Sequence, residues 1–163
     1  MKLIVGLGNP KKEYEKSRHN TGFILLDVYA KSLGLKWETN EKFQSEVIVQ
    51  KDYVLAKPQT FMNESGTAVS KILNFFKIDL KDLTVVHDDV DLPFGTVKKQ
   101  FGAGAAGHHG VEDTIEKVGS KDFWRIRVGI GKPINSNVPV DEWVLQNFSE
   151  EELQKIQNLK IEL

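Results

Sequence analysis

The sequence predicts an α/β domain: one mixed, mostly parallel sheet with helices on both faces. Three observations carry this. Strand-like and helix-like segments alternate along the chain, the pattern of an α/β sheet covered on both sides. Two adjacent strand-like runs flank a short polar turn, which adds antiparallel character. The length of 163 residues fits one domain, and 40% hydrophobic with 28% charged residues is ordinary for a globular core. The single domain is therefore expected to span residues 1–163.

Each element follows from local pattern. Lys2 to Gly6 is an apolar strand closed by glycines. Thr21 to Leu33 carries Phe23, Leu26 and Ala30 at helical spacing. Val47-Ile48-Val49 and Tyr53-Val54-Leu55-Ala56 flank Lys51-Asp52 and form the hairpin. Gly66 to Phe76 places Val69, Ile72, Leu73 and Phe76 on one helical face. Leu83 to His87 is a short buried strand, and Thr96 to Phe101 an amphipathic one. Gly110 to Val118 is a short helix. Phe123 to Ile130 is a strand with Arg125 and Arg127 on the same side. Ser149 to Glu152 has capping-box form, so a last helix starts there.

Composition excludes several classes. There is no cysteine, which removes disulfides, thiol nucleophiles and zinc–thiolate sites. No apolar run has the length of a membrane span, and the opening Leu3-Ile4-Val5 is too short for a signal peptide. A cytoplasmic protein is expected. Net charge is −1, so the chain lacks the basic coat of a protein held on a long duplex, though a local basic patch remains open.

Polar residues gather at the ends of strands, where open α/β sheets place their sites. Asn9, Asn63 and Asp88 each follow a strand-like run, and His19 lies in Arg18-His19-Asn20. A neutral imidazole can take a proton from water, a carboxylate can fix its tautomer, and amides can hold a carbonyl or oxyanion. One His, one Asp and two Asn therefore suffice for general-base hydrolysis without a metal. On chemistry alone, His19 and Asp88 serve equally well as helix and turn caps.

Other patterns are weaker. Gly102-Ala103-Gly104-Ala105-Ala106-Gly107 matches a dinucleotide-binding spacing, but its preceding strand is half polar and Asp122 precedes the next strand instead of following it. A turning surface loop is the alternative, and its amides open onto a helix N-terminus that can receive a phosphate. His87-Asp88-Asp89-Val90-Asp91 offers oxygen ligands for a hard cation, or is a solvated turn. Lys98, Lys99, Arg125, Arg127 and Lys132 form a modest basic group that suits one or two phosphates, or a solvated face.

Together the segments resemble one family. Gly6-Leu7-Gly8-Asn9-Pro10 with Tyr14 and Arg18-His19-Asn20-Thr21-Gly22 resembles the opening of bacterial peptidyl-tRNA hydrolases. Lys57 to Gly66, His87 to Gly95, Gly107-His108-His109-Gly110 and Arg125 to Gly131 resemble the later motifs, in family order. The resemblance implies a metal-independent, cofactor-free monomer. Such an enzyme hydrolyses the ester between a peptide and the 3′ ribose of tRNA, and so recycles tRNA. It implies His19 as the base that activates water, Asp88 as its orienting acid, and Asn9 as the group that sorts peptidyl from aminoacyl substrates. Asn63, with Tyr14, Phe61 and Met62, would hold the peptide or the 3′ end. Lys98 and Arg127 would meet tRNA phosphate.

Departures from the family pattern set up an alternative. His109 stands where the family carries Asn, the helper that positions substrate and water. The loop before it is normally richer in glycine, so Ala103, Ala105 and Ala106 are unusual, and Gln100 stands where a Lys is common. His109 either substitutes as a hydrogen-bond donor in substrate binding or blocks the site, which would leave a relative that binds RNA without hydrolysis. The chain stops soon after Leu159, where family members usually continue through a further helix near the site entrance.

Overall fold

The computed structural model describes residues 1–163. Seven strands form one sheet: β1 (Lys2–Gly6), β2 (Glu38–Asn40), β3 (Ser45–Val49), β4 (Tyr53–Pro58), β5 (Leu83–Asp89), β6 (Val97–Phe101) and β7 (Trp124–Gly129). Their spatial order is β2-β3-β4-β1-β5-β7-β6. The central four, β4-β1-β5-β7, run parallel, while β2, β3 and β6 add antiparallel pairs at the two edges. The sequence explains the division. Leu3, Val5, Val54, Leu55, Val85 and Val86 are fully buried, as strands covered on both faces must be. β6 is mostly exposed and half polar, which fits a solvated edge.

Five α-helices cover the faces: α1 (Thr21–Ser32), α2 (Ser65–Phe76), α3 (His109–Val118), α4 (Val140–Leu145) and α5 (Glu150–Gln157). One core lies beneath α2 and α3, around Val5, Val69, Ile72, Val85 and Val111. The other lies beneath α1, α4 and α5, around Ile4, Leu26, Val86, Ile126, Val144 and Ile156. The expected capping box is present, with Ser149 accepting from the Glu152 amide and Glu152 accepting from the Ser149 amide. The strand β2 and the helix α4 are additions to the sequence-based reading. Both are shorter than a full period of hydrophobic alternation can reveal.

Two glycines set the approach of α1 to the sheet. A Cβ on Gly22 would lie 2.3 Å from the Val86 carbonyl oxygen, and one on Gly6 would lie 2.4 Å from the Gly22 carbonyl oxygen. Only without side chains can the first turn of α1 sit directly on the ends of β1 and β5. That contact brings the segment just before α1 to the rim where β5 ends. No helix is long and apolar enough to cross a membrane.

Candidate active site

His19 lies in a 3-10 turn, Arg18–Asn20, immediately before α1. Asp88 is the penultimate residue of β5 and is 2% exposed. The His19 Nδ1 and Asp88 Oδ2 atoms are 2.9 Å apart. The other carboxylate oxygen, Oδ1, lies 2.9 Å from His108 Nε2. His108 is the N-cap of α3, and its Nδ1 accepts from the amides of Gly110 and Val111 at 3.1 and 3.3 Å. Those two amides fix the His108 tautomer. Its Nδ1 is a lone pair, so its Nε2 carries the proton and donates to Asp88. Asp88 accepts the Nδ1–H of His19 on its other oxygen. The His19 Nε2 is then an unprotonated lone pair at the rim.

Electrostatics follow from this arrangement. Burial alone would raise the Asp88 pKa, but the charges of His19 and His108 and the hydrogen bonds from both rings outweigh it. The carboxyl is held far below the usual range and stays ionised. For His19, burial favours the neutral form, but the Asp88 charge, its hydrogen bond and the more distant Asp141 raise the pKa above 6.5. The same geometry bears on metals. His19, Asp88 and His108 bring ligand-type atoms within 4.8 Å of one another. Ligation through His108 Nε2 would put the proton on Nδ1, facing two backbone N–H donors. The donor set therefore fits a hydrogen-bonded chain and not a metal centre.

Two cavities meet at His19. One, of about 490 Å³, runs past Asp88, His108 and the 105–109 segment. The other, of about 690 Å³, is lined by Asn9, Phe61, Met62, Asn63 and Leu145. His109, Asp141 and Val144 border both. Asn9 is held by a reciprocal pair: its amide donates to Asn20 Oδ1 at 2.7 Å, and Asn20 Nδ2 donates to the Asn9 carbonyl at 2.9 Å. Met62 packs under the site, where Gly110 makes room; a Cβ there would lie 2.6 Å from the Met62 sulfur. Phe61 is 57% exposed and offers an open apolar face. Above the rim, α4 is anchored by Arg18, whose guanidinium stacks 3.4 Å from the Trp143 ring centre and donates to the Trp143 carbonyl at 3.3 Å.

The structure thus gathers His19, Asp88, Asn9, Asn63, Phe61 and Met62 at one rim. Tyr14 stands apart. It is half-buried on its own 3-10 turn, lines neither cavity, and its carbonyl accepts from the Ser17 amide, which supports the turn leading to His19. His109 projects outward, 59% exposed, 3.6 Å from Glu112 and 3.8 Å from Asp141, and makes no contact with Asp88. The residue that joins the network is its neighbour His108, which the sequence reading had left out. A histidine at the cap position just before a helix was the available signal.

Three readings that the sequence left open are narrowed. His87, Asp88 and Asp89 are buried strand residues and not a solvated turn. Their acids are already engaged, Asp89 by Arg127 Nε at 2.7 Å and by the Asp91 amide at 2.8 Å, so no cation ligand set remains. The basic group is split by the pleat. Arg127 and Lys98 face one another across β6 and β7, whereas Lys99 lies on the opposite face over Trp124, and Arg125 is 1% exposed. The glycine-rich loop follows an antiparallel edge strand, not a central parallel one, which removes the dinucleotide reading. Gln100, which stands where the family commonly has Lys, accepts from Arg127 Nη1 at 2.8 Å.

The fold and rim define an α/β protein whose parallel strands bring a carboxylate-held histidine to an open groove. Comparisons with known proteins give the family. The family model for peptidyl-tRNA hydrolase matches residues 3–162. A peptidyl-tRNA hydrolase of Aliarcobacter butzleri is 46% identical over 159 residues, covering 98% of this chain and 86% of the relative. One of Mycoplasma capricolum is 45% identical, covering 94% of this chain and 83% of its own. The crystal structure of peptidyl-tRNA hydrolase from Acinetobacter baumannii superposes with a TM-score of 0.86 at 32% identity, covering 96% of this chain and 81% of that one. The chain belongs to the peptidyl-tRNA hydrolase family, and its activity is that of a carboxylic ester hydrolase acting on peptidyl-tRNA.

Proposed function

We propose that His19 is the general base of this hydrolysis and that Asp88, itself held by His108, is its positioning residue. The observation that carries the reading is the 2.9 Å bond from His19 Nδ1 to the buried Asp88 carboxylate, which leaves the His19 Nε2 lone pair at the junction of two cavities. Nε2 takes a proton from water. The hydroxide attacks the ester carbonyl, and the bond from that carbon to the 3′ ribose oxygen breaks. The proton then passes from Nε2 to the ribose oxygen. The products are a peptide carboxylic acid, which loses its proton to solvent near pH 7, and a tRNA with its 3′ hydroxyl restored. Asp88 stabilises the imidazolium between the two transfers.

Asn9, locked by Asn20, supplies an amide within reach of the substrate's peptide or ester groups. Phe61, Met62 and Asn63 supply the opposite wall, with an apolar surface and a second amide. Lys98 is the exposed cation closest in register to Arg127, and the pair suits a phosphate of the tRNA. Arg127 is already paired to Asp89 and Gln100, so Lys98 carries more of that contact. His109 occupies the cavity border as a donor toward the bound ester. Its outward position leaves the Asp88 network intact, which supports turnover over binding alone. The chemistry needs no metal, because the base is formed by hydrogen bonding.

The test is hydrolysis of N-acetyl-aminoacyl-tRNA by the wild type, with and without a chelator, beside His19→Ala. Turnover that survives chelation and disappears in folded His19→Ala is expected. Equal turnover by the two proteins would remove His19 from the role, and loss on chelation would remove the metal-free mechanism.

A further inference from the structure

The helix α3 meets the site in two places. The first is its cap, His108, whose Nε2 lies 2.9 Å from Asp88. The second lies further along the helix. Asp113 is buried, and its Oδ2 accepts from the Gly66 amide at 2.8 Å. Gly66 is the second residue of α2, so this bond satisfies one of the amides that a helix start leaves without a partner. α2 has no cap of its own: Glu64 occupies the cap position, and its side chain makes no capping bond. The cap comes instead from a neighbouring helix, and a carboxylate there also suits the positive end of the α2 dipole. The other Asp113 oxygen lies 3.5 Å from the half-exposed Lys117 ammonium, a surface pair of small worth.

The contact between the two helices is close at this point. A Cβ on Gly66 would lie 2.3 Å from the Asp113 carbonyl oxygen and 2.8 Å from the Thr114 Cα. The chain enters α2 through Phe61 and the 3-10 turn Met62–Glu64. These four residues line the second cavity, together with His19 and Asn9. The turn is joined rigidly to the start of α2, because the Ser65 hydroxyl donates to the Met62 carbonyl at 2.7 Å and the Ser65 amide bonds the same oxygen. Asn63 is exposed, so its place depends on the turn that carries it. A shift at the start of α2 is therefore a shift of Asn63.

We propose that Asp113 is a positioning residue for the substrate wall: by capping α2 from α3 it sets where Met62 and Asn63 stand relative to His19. One helix then places both halves of the site, the His19 network through His108 and the opposite wall through Asp113. The inference rests on the reading of Phe61, Met62 and Asn63 as substrate contacts. A cap with a structural role alone changes stability. A positioning cap also changes KM, and it leaves kcat in place because His19, Asp88 and His108 are held by bonds of their own.

The test is steady-state hydrolysis of N-acetyl-aminoacyl-tRNA by the full chain, at a temperature where circular dichroism shows every variant folded. In Asp113→Ala, KM should rise at least about fivefold with kcat within about twofold, since a buried donor loses its acceptor. Asp113→Asn keeps an oxygen for the Gly66 amide, and its KM should return to within about twofold of wild type. In an Asn63→Ala background the Asp113→Ala step should raise KM by less than about twofold, because the side chain that it places is gone. If Asp113→Ala does not fold, Asp113→Ser, whose hydroxyl stops short of the amide, replaces it with the same expected rise. An unchanged KM, a loss confined to kcat, an Asp113→Asn variant as impaired as Asp113→Ala, or an undiminished step in the Asn63→Ala background overturns the proposal. Asn63→Ala alone separates the two levels. If it raises KM and Asp113→Ala does not, the wall stands and the role of Asp113 is refuted. If Asn63→Ala has the KM of wild type, the wall itself is refuted and the inference falls with it.

Discussion

Asp88→Asn tests the central claim because it keeps the shape of the site and changes only hydrogen-bond polarity. The carboxylate accepts from two rings, each at 2.9 Å. An amide can accept from one and must donate to the other. His108 cannot adapt, because its Nδ1 lone pair already accepts from the amides of Gly110 and Val111. The Asn oxygen therefore turns to His108, and its NH2 faces His19 Nδ1. His19 responds by moving its proton to Nε2, and the lone pair that meets water is lost. Restoring the working tautomer sets N–H against N–H, at about 1–3 kcal/mol for a buried unsatisfied donor. The imidazolium also loses a charged hydrogen bond of about 1.5–3 kcal/mol. Together these predict a kcat lower by about 10²–10⁴. KM should change little, since both carboxylate oxygens are engaged within the protein. The assay is single-turnover and steady-state hydrolysis of N-acetyl-aminoacyl-tRNA, with circular dichroism to verify folding. A folded variant whose kcat stays within about tenfold of wild type would refute the tautomer argument.

Further predictions concern protonation, packing and the substituted histidine. Because His19 has a raised pKa, its charged form adds stability that is complete below about pH 6.5 and fades as pH rises through the raised value, whereas the base acts only above it. The acidic limb of kcat/KM should therefore lie above pH 6.5 and move down in Asp141→Asn, as a pH–rate profile will show. His87 behaves oppositely. Its pKa falls from 6.5 to about 4, so the unfolded chain binds the extra proton and stability drops as pH falls across that window, by about 3 kcal/mol from this residue. Denaturant unfolding of wild type and His87→Gln between pH 7 and pH 4 should differ by that amount. Gly22→Ala places a methyl 2.3 Å from the Val86 carbonyl oxygen. It should destabilise by at least about 1–3 kcal/mol and lower kcat by separating His19 from Asp88, as urea melts and turnover will report. Finally, His109 borders both cavities beside Glu112 and Asp141, so it is expected to meet the bound substrate. The kcat/KM of His109→Asn should differ from that of wild type, and superimposable steady-state parameters would remove His109 from the reaction.

Much of the fold was legible because its central strands are apolar on both faces. Leu3 to Val5, Val54 to Ala56 and Leu83 to Val86 are nearly all buried, and no amphipathic alternative competes with them. Strand order was not legible, since it depends on pairings between residues far apart in sequence. The pleat was read correctly for Arg125 and Arg127, which do share a face. Which of them reaches solvent was not readable, because that depends on the loop 102–107 closing over Arg125. The same limit applies to Lys98 and Lys99, adjacent in sequence and opposite in space.

The site shows the limit more sharply. Asn9, Asn63 and Asp88 were identifiable as polar residues after strand-like runs and His19 as part of the polar Arg18-His19-Asn20 segment, and parallel strands put their carboxyl ends on one rim. Between His108 and His109, sequence pointed to the second, because it is the departure from the family pattern. The structure brings the first to Asp88. The difference is one residue of helix phase. His108, at the cap, still has extended backbone and turns its ring to meet the free amides of α3. His109 is the first helical residue and follows the helix outward. Cap residues bond inward because the first amides of a helix lack partners. When two like polar residues straddle a helix start, the physics therefore favours the earlier one as the member of a buried network. Here that inward bond also fixes the His108 tautomer, and through Asp88 it fixes the tautomer of His19. The proposed base is thus set by the capping of a helix that contributes no atom to the proposed proton transfer.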